Sequence, residues 1–183
     1  MENSSIPKMD ATNLLTETDN NSTNHFLYDK WTLWSHLPHD IDWTVNSYKK
    51  IVTIDSVEAI ITLCETLPEK MIRNCMLFLM REGIKPTWED TKNRDGGCFS
   101  YKVNNKLVHK TWKKLSYSLV GETLSKENRA RQSINGITIS PKKNFCIVKI
   151  WFATCEFQSP NIIIDLDGLT SQGCLFKKHL PEY

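Results

Sequence analysis

Residues 83–90 read Gly-Ile-Lys-Pro-Thr-Trp-Glu-Asp, and their glycine and proline are typical of a loop between extended segments. The loop places the indole of Trp88 next to the carboxylate of Glu89. An indole face attracts cations, and a carboxylate can accept two parallel hydrogen bonds. If a second indole, from Trp43 or Trp151, covers the other face, the pattern predicts a slot for a flat cationic base with two adjacent donors. 7-Methylguanine, with N1–H and N2–H₂ on one edge, fits this description.

Length and composition are typical of one globular domain. The chain has 183 residues, of which 40% are hydrophobic and 24% charged, so a single core is expected. The net charge of +2 is too small for general duplex binding, and any contact with nucleic acid should be local. No apolar run approaches the roughly 18–20 residues needed to cross a bilayer. We therefore expect no contact with a membrane.

The cysteines and histidines do not form a recognisable site. Six cysteines are scattered without a Cys-x-x-Cys pair, and the five histidines are dispersed. This pattern predicts reduced thiols in the cytosol, with no disulfide framework, metal site or cofactor. Nothing local supports a catalytic Cys-His pair, so no catalytic residue is expected.

Apolar patterns and turn signals divide the chain into many strands and two long helices. Residues 1–24 are polar and predicted to be a disordered tail, which leaves residues 25–183 as one domain. Strands are predicted at 31–34, 48–54, 75–80, 98–103, 134–140 and 145–153, and helices at 57–67, capped by Asp55 or Ser56, and at 110–124. Trp31, Trp34 and Trp112 are expected to be core aromatics. Residues 126–132 are expected to form a charged, exposed connector or a short helix, 162–164 a strand and 175–180 a short helix. The tally predicts an α+β fold in which helices back an antiparallel sheet.

Several anchors in this order resemble the eukaryotic translation initiation factor 4E family, the mRNA cap-binding proteins. The resemblance runs from about His25 to Glu156. Its anchors are Lys30-Trp31-Thr32-Leu33-Trp34, Trp43, Asp55-Ser56-Val57-Glu58, residues 83–90, Asn93 with Gly96-Gly97, Trp112 leading into Val120-Gly121-Glu122, and Val148-Lys149-Ile150-Trp151. The family's fold is a strongly curved antiparallel sheet with helices on its convex face and the cap-binding slot on its concave face.

The resemblance also implies roles for individual residues. Trp43 and Trp88 would sandwich the 7-methylguanine base, and Glu89 would accept its N1–H and N2–H₂ donors. The backbone N–H of Trp88 would donate to O6, and Trp151 would lie against the N7-methyl group. The implied ligand is the 7-methylguanosine cap at the 5′ end of mRNA.

Three basic positions hold the cap triphosphate in that family, and this chain departs from the pattern at two of them. Cys98 stands where an arginine is expected, and Ile147 occupies a second basic position, whereas Lys142 keeps the third charge. Lys149 shares a strand face with Ile147 and could compensate. Further candidates are Lys143 and Arg94. The two losses predict weaker phosphate binding with a flatter salt dependence.

The convex face also departs from the family. There, a tryptophan on the first helix and apolar and acidic residues on the second receive a Tyr-x-x-x-x-Leu-hydrophobic helix from scaffold or repressor proteins. The corresponding partner-binding positions here include His25, Val57, Ile61 and Lys113, with Lys114 beside the last. Because an indole is lost and lysines are gained, the usual scaffold should bind less well, or a different partner is selected.

Three functions fit these observations. The first is a monomeric, non-enzymatic initiation factor that binds capped mRNA in the cytoplasm, with a nuclear pool also compatible. The second is a repressor that sequesters the cap without recruiting the ribosome. The third is a protein-interaction module of the same fold that has lost the cap.

Overall fold

The computed structural model describes residues 24–179, which form seven strands and four helices. The strands are β1 (Phe26–His36), β2 (Lys49–Ser56), β3 (Met76–Arg81), β4 (Gly97–Asn104), β5 (Ile134–Pro141), β6 (Phe145–Phe152) and β7 (Leu175–Lys178). The helices are α1 (Val57–Thr66), α2 (Glu69–Asn74), α3 (Val108–Val120) and α4 (Asn128–Ser133). The predicted tail, apart from Asn24, lies outside the described residues, as does Leu180.

All seven strands join one curved antiparallel sheet in the order β2-β1-β3-β5-β6-β4-β7. Side chains alternate between its two faces. In β1, Trp31 and Leu33 join the main core beneath the helices, whereas Trp34 packs with a smaller cluster on the opposite face that includes Phe78 and Trp151. The predicted α+β class is confirmed. The smaller cluster forms the floor of the concave face.

The two long predicted helices are present and lie on the convex side of the sheet. Ser56 caps α1, because its hydroxyl accepts a hydrogen bond from the N–H of Ala59 at 3.3 Å. Trp112 of α3 is buried in the main core, as expected. The short helix α2 was not predicted from the sequence. Pro68 disfavours a helical conformation of the preceding Leu67, where α1 ends, and is itself the extended N-cap before Glu69, the first residue of α2. No helix within residues 24–179 is long and apolar enough to span a bilayer.

Two expectations for the C-terminal part were wrong. Residues Pro160–Ile162 form a single 3-10 turn, and Ile163 makes only an isolated bridge to Ser125 instead of a strand. The predicted helix from Leu175 is strand β7, which pairs antiparallel with β4. The edge of β4 offers backbone hydrogen-bond partners to residues Leu175–Lys178. This pairing, and not the local sequence, therefore decides that the segment is a strand.

Candidate functional site

The concave face carries a cavity of about 290 Å³, which we call the tryptophan cavity. This volume is near the lower limit of roughly 300 Å³ for small-molecule sites. Its lining consists of aromatic and apolar side chains with one carboxylate and one ammonium group, from Trp43, Tyr48, Met76, Phe78, Pro86, Thr87, Trp88, Glu89, Lys149 and Trp151. The fold therefore brings together the four residues predicted to contact a base, although they come from two loops and one strand.

The first wall of the tryptophan cavity is Trp43, which lies in the loop after β1. Its indole stacks on the ring of His36, with centroids 4.3 Å apart and planes within 5°. His36 Nε2 is 2.8 Å from the carbonyl oxygen of Asp42, which accepts the hydrogen bond. Hydrogen bonds from Thr44 to the Asp42 carboxylate lower the pKa of that group and close the loop. Because His36 supports one face of Trp43, the 58%-exposed indole can offer its other face to a ligand.

The second wall is Trp88, whose loop is organised by the buried side chain of Asn93. The Asn93 amide donates to the carbonyl oxygens of Lys85 at 3.0 Å and Thr87 at 2.8 Å. Its own oxygen accepts a bond from the amide of Asn135 at 2.9 Å. The Asn93 side chain thus holds the backbone just before Trp88 in place. The indole of Trp88 itself is 42% exposed. From the sequence, Asn93 is an anchor of the family resemblance, with no supporting role assigned to its side chain.

The two neighbouring acids of this loop have separate roles. The Asp90 carboxylate accepts from the backbone N–H groups of Lys85 at 3.0 Å and Lys92 at 2.9 Å, so it stabilises the loop. Glu89 is exposed and has no hydrogen bond or ion pair within residues 24–179. Burial, together with the negative charge of Glu89, raises the pKa of Tyr48. Glu89 therefore places an unpaired carboxylate at the cavity, ready to accept hydrogen bonds from a ligand.

Trp151 in β6 forms the floor, and a residue near the end of the described chain covers part of it. The ring of His179 lies 4.6 Å from that of Trp151, and its Nδ1 is 2.7 Å from the carbonyl oxygen of Asn93. Burial lowers the pKa of His179. Gly96 is needed nearby, because a side chain there would collide with the carbonyl of Phe152. His179 thus connects the floor to the Trp88 loop, a role that the sequence did not indicate.

A second cavity of about 270 Å³, which we call the hairpin cavity, adjoins the first. Its lining comes from β3, β5, β6 and the turn between β5 and β6, and consists of Met76, Phe78, Thr138, Ser140, Lys142, Ile147, Lys149 and Trp151. Two of the predicted phosphate contacts, Lys142 and Lys149, are therefore placed together, and Lys149 lines both cavities. Cys98 is buried among apolar side chains. The other candidates lie elsewhere: Lys143 lines a different cavity, and Arg94 is 4.0 Å from Asp95.

A protein-family model described as eukaryotic initiation factor 4E matches residues 26–168. The chain belongs to this family. Its relatives include the eukaryotic translation initiation factor 4E of Candida albicans, which is 26% identical over 163 residues, covering 81% of this chain and 74% of that protein. The factor 4E homolog of Acanthamoeba polyphaga mimivirus is 30% identical over 129 residues, covering 63% of this chain and 47% of that protein.

Solved structures of the factor 4E family share the fold. A complex of C. elegans eIF4E-3 with the 4E-binding protein Mextli and a cap analog aligns with a TM-score of 0.65 and 26% identity, covering 72% of this chain and 76% of that one. Ascaris suum eIF4E-3 with the m7G cap aligns with a TM-score of 0.64 and 26% identity, covering 73% and 76%. These structures pair the fold with two kinds of ligand, a cap and a protein.

On the convex side of this factor 4E fold, the predicted partner-binding residues lie on one surface, which we call the convex surface. The carbonyl oxygen of His25 accepts a hydrogen bond from the N–H of Val57 at 2.8 Å. His25 Nδ1 is 2.7 Å from the Glu58 carboxylate, and this bond lowers the pKa of Glu58. Val57 and Ile61 are exposed on successive turns of α1. These hydrogen bonds therefore hold His25, which precedes β1, against the first turn of α1, beside the exposed Val57.

The lysines of the convex surface are neutralised within the protein. Lys113 forms an ion pair with Glu65, and this bond lowers the pKa of Glu65. Lys114 is 2.9 Å from the carboxylate of Asp167. Within residues 24–179, Lys113 and Lys114 therefore do not add two free charges to the convex surface, and Ile61 is an exposed aliphatic side chain there.

Proposed function

We propose that this protein binds the 7-methylguanosine cap of mRNA and acts in translation initiation. The observation that carries the proposal is the carboxylate of Glu89, which has no partner within residues 24–179, at a cavity whose walls are the exposed indoles of Trp43 and Trp88. This arrangement matches a flat cationic base with two donors on one edge. Membership in the factor 4E family, and likeness to structures that contain a cap, support the same ligand.

The contacts follow from the chemistry of the base. The Glu89 carboxylate accepts N1–H and N2–H₂, the backbone N–H of Trp88 donates to O6, and Trp151 lies against the N7-methyl group. Each base–indole stack contributes roughly 1–3 kcal/mol. The positive charge of the methylated base strengthens both stacks and its pairing with Glu89, which gives selectivity over unmethylated guanine.

The proposed role consists of binding without a chemical step, so the protein acts as a non-enzymatic factor. Translation places its working site in the cytoplasm, and a monomer is sufficient because one chain provides every contact to the base. A helix from a scaffold or repressor protein is the partner proposed for the convex surface, around Val57 and Ile61.

The test is a tryptophan-fluorescence titration with 7-methyl-GTP and with GTP. We expect a clear preference for 7-methyl-GTP in the unmodified protein, loss of binding in Trp88→Ala, and loss of the preference in Glu89→Gln. Glu127→Gln is the matched control, because Glu127 is exposed and precedes α4, outside the lining of either cavity. Equal affinity for both nucleotides, or an unchanged preference in Glu89→Gln, would contradict the proposal.

A second candidate, cap sequestration without recruitment of the ribosome, is favoured by one observation. Ile61 replaces the indole that anchors the partner helix in the family, so the convex surface has lost a residue type that often dominates binding energy. A pull-down with a Tyr-x-x-x-x-Leu helix separates the two functions. Clear binding supports initiation, and its absence supports repression.

A further inference from the structure

A lysine of β7, a strand that the sequence did not predict, faces the concave side of the sheet. Trp151 of β6 lies directly opposite Cys98 of β4, and Cys98 lies directly opposite Lys177 of β7. Residues directly opposite each other in antiparallel strands project from the same face of the sheet. Trp151, Cys98 and Lys177 therefore form one row across three neighbouring strands, beginning at the floor of the tryptophan cavity.

The alternation along β7 supports this orientation of Lys177. Its neighbour Phe176 projects to the other face, where its ring packs 5.1 Å from that of Phe99 in the main core. Lys178, opposite Gly97, shares the face of Phe176. Among these three consecutive positions of β7, only the middle one faces the ligand side.

The side chains of Lys149 and Lys177 lie on the same face of the sheet as Cys98, on the two strands that flank it. Burial raises the pKa of this thiol, and the positive charges of Lys149 and Lys177 act in the opposite direction. The register also places Lys149 opposite Ser100, two residues from Cys98 and on the same face. Two lysines thus flank the position where the family pattern has an arginine.

These lysines differ from those of the convex surface in their partners. Lys113 and Lys114 each have a carboxylate within 4 Å. Within residues 24–179, neither Lys149 nor Lys177 has one. Like charges that share a face without counter-ions repel each other, and an anion placed between them would relieve the repulsion. The chemistry therefore fits a phosphate ligand.

We propose that Lys177 contacts the phosphates of the cap and, with Lys149, supplies the charge that Cys98 cannot. The hairpin cavity adds Lys142 at its far end. This inference rests on the proposed function, because a base held against Trp151 fixes where its phosphate chain begins. Compared with the family pattern, the proposed phosphate contact comes from β7 instead of β4, on the same face of the sheet.

The experiment compares Lys177→Gln with the matched control Lys178→Gln, which removes the same charge from the opposite face. Each variant is titrated with 7-methyl-GTP and with the nucleoside 7-methylguanosine, which has no phosphates. We expect Lys177→Gln to weaken 7-methyl-GTP binding about three- to tenfold and to leave the nucleoside affinity unchanged. The slope of log affinity against log salt should decrease by about 0.7–1. Lys178→Gln should change neither ligand.

Two results would overturn the inference. One is an unchanged 7-methyl-GTP affinity of Lys177→Gln at low salt. The other is an equal loss for both ligands, which would indicate a structural role for the side chain. Lys177→Arg provides a check on charge, since it should keep the affinity within about twofold if the contact is electrostatic. Failure of the unmodified protein to bind 7-methylguanosine in preference to guanosine would instead contradict the proposed function itself.

Discussion

Replacing Asn93 by alanine should destabilise the protein and the cap site together. The fully buried Asn93 side chain makes three hydrogen bonds, two donated to the Trp88 loop and one accepted from Asn135. At about 0.5–1.5 kcal/mol each, their loss should cost about 1.5–4.5 kcal/mol of unfolding free energy. The folded variant should also bind 7-methyl-GTP at least tenfold more weakly, because the loop that carries Trp88 and Glu89 loses its support.

Urea denaturation measures the first effect and fluorescence titration under native conditions measures the second. Asn161→Ala is the control, because Asn161 is exposed in the Pro160–Ile162 turn and should change stability by less than about 0.5 kcal/mol. If Asn93→Ala kept the unfolding midpoint and the 7-methyl-GTP affinity of the unmodified protein, the assignment of Asn93 as the support of the loop would be refuted.

Three further changes have defined outcomes. His36→Ala should lower 7-methyl-GTP affinity several-fold, whereas His36→Phe should retain more of it because a ring still supports Trp43; equal titrations of the two variants would contradict this. Ile61→Trp should strengthen capture of a Tyr-x-x-x-x-Leu helix in a pull-down, because it supplies a hot-spot side chain, and unchanged capture would place the partner elsewhere. Hydrogen bonds from Lys114 and Lys110 lower the pKa of Asp167 from its usual 3.8 to about 2. The stabilisation by Asp167 is therefore complete above pH 3.8 and lost as the pH falls toward 2, so Asp167→Asn should flatten the curve of stability against pH in this window; an unaltered curve would show that the ion pairs contribute nothing.

The parts of the fold that the sequence predicted are those with strong local patterns. The hairpin of β5 and β6 has long apolar runs around a turn, and α1 has helical spacing with a capping residue at Ser56. Trp88 and Glu89 could be named in advance because an indole next to a carboxylate in a loop is unusual chemistry, whereas Trp43 was chosen over Trp151 as the second wall only through the family resemblance. The structure places these residues at one cavity, and their contacts with a base are a prediction that the titration tests.

The parts that were missed depend on contacts between distant residues. The segment of β7 has no strong strand pattern, and only the free edge of β4 makes it a strand. Asn93 has the composition of a turn residue, so its role as a buried support appears only when Asn135 is placed against it. His179 and Lys177 lie far along the chain from the Trp88 loop, and no spacing in the sequence relates them to it.

The order of strands in the sheet has a consequence for how the protein acquires activity. Neighbours in the sheet include β4 with β7 and β3 with β5, whose partners are far apart along the chain. Contacts of this kind close large loops and slow the folding reaction. Trp43 follows β1, Trp88 follows β3 and Trp151 lies in β6, so the three indoles meet through the long-range pairing of β3 with β5. We therefore expect a collapsed intermediate that has its helices but lacks this pairing to be unable to recognise a cap. Recovery of ligand binding during refolding is therefore a measure of the last step, and should lag behind recovery of helical circular dichroism.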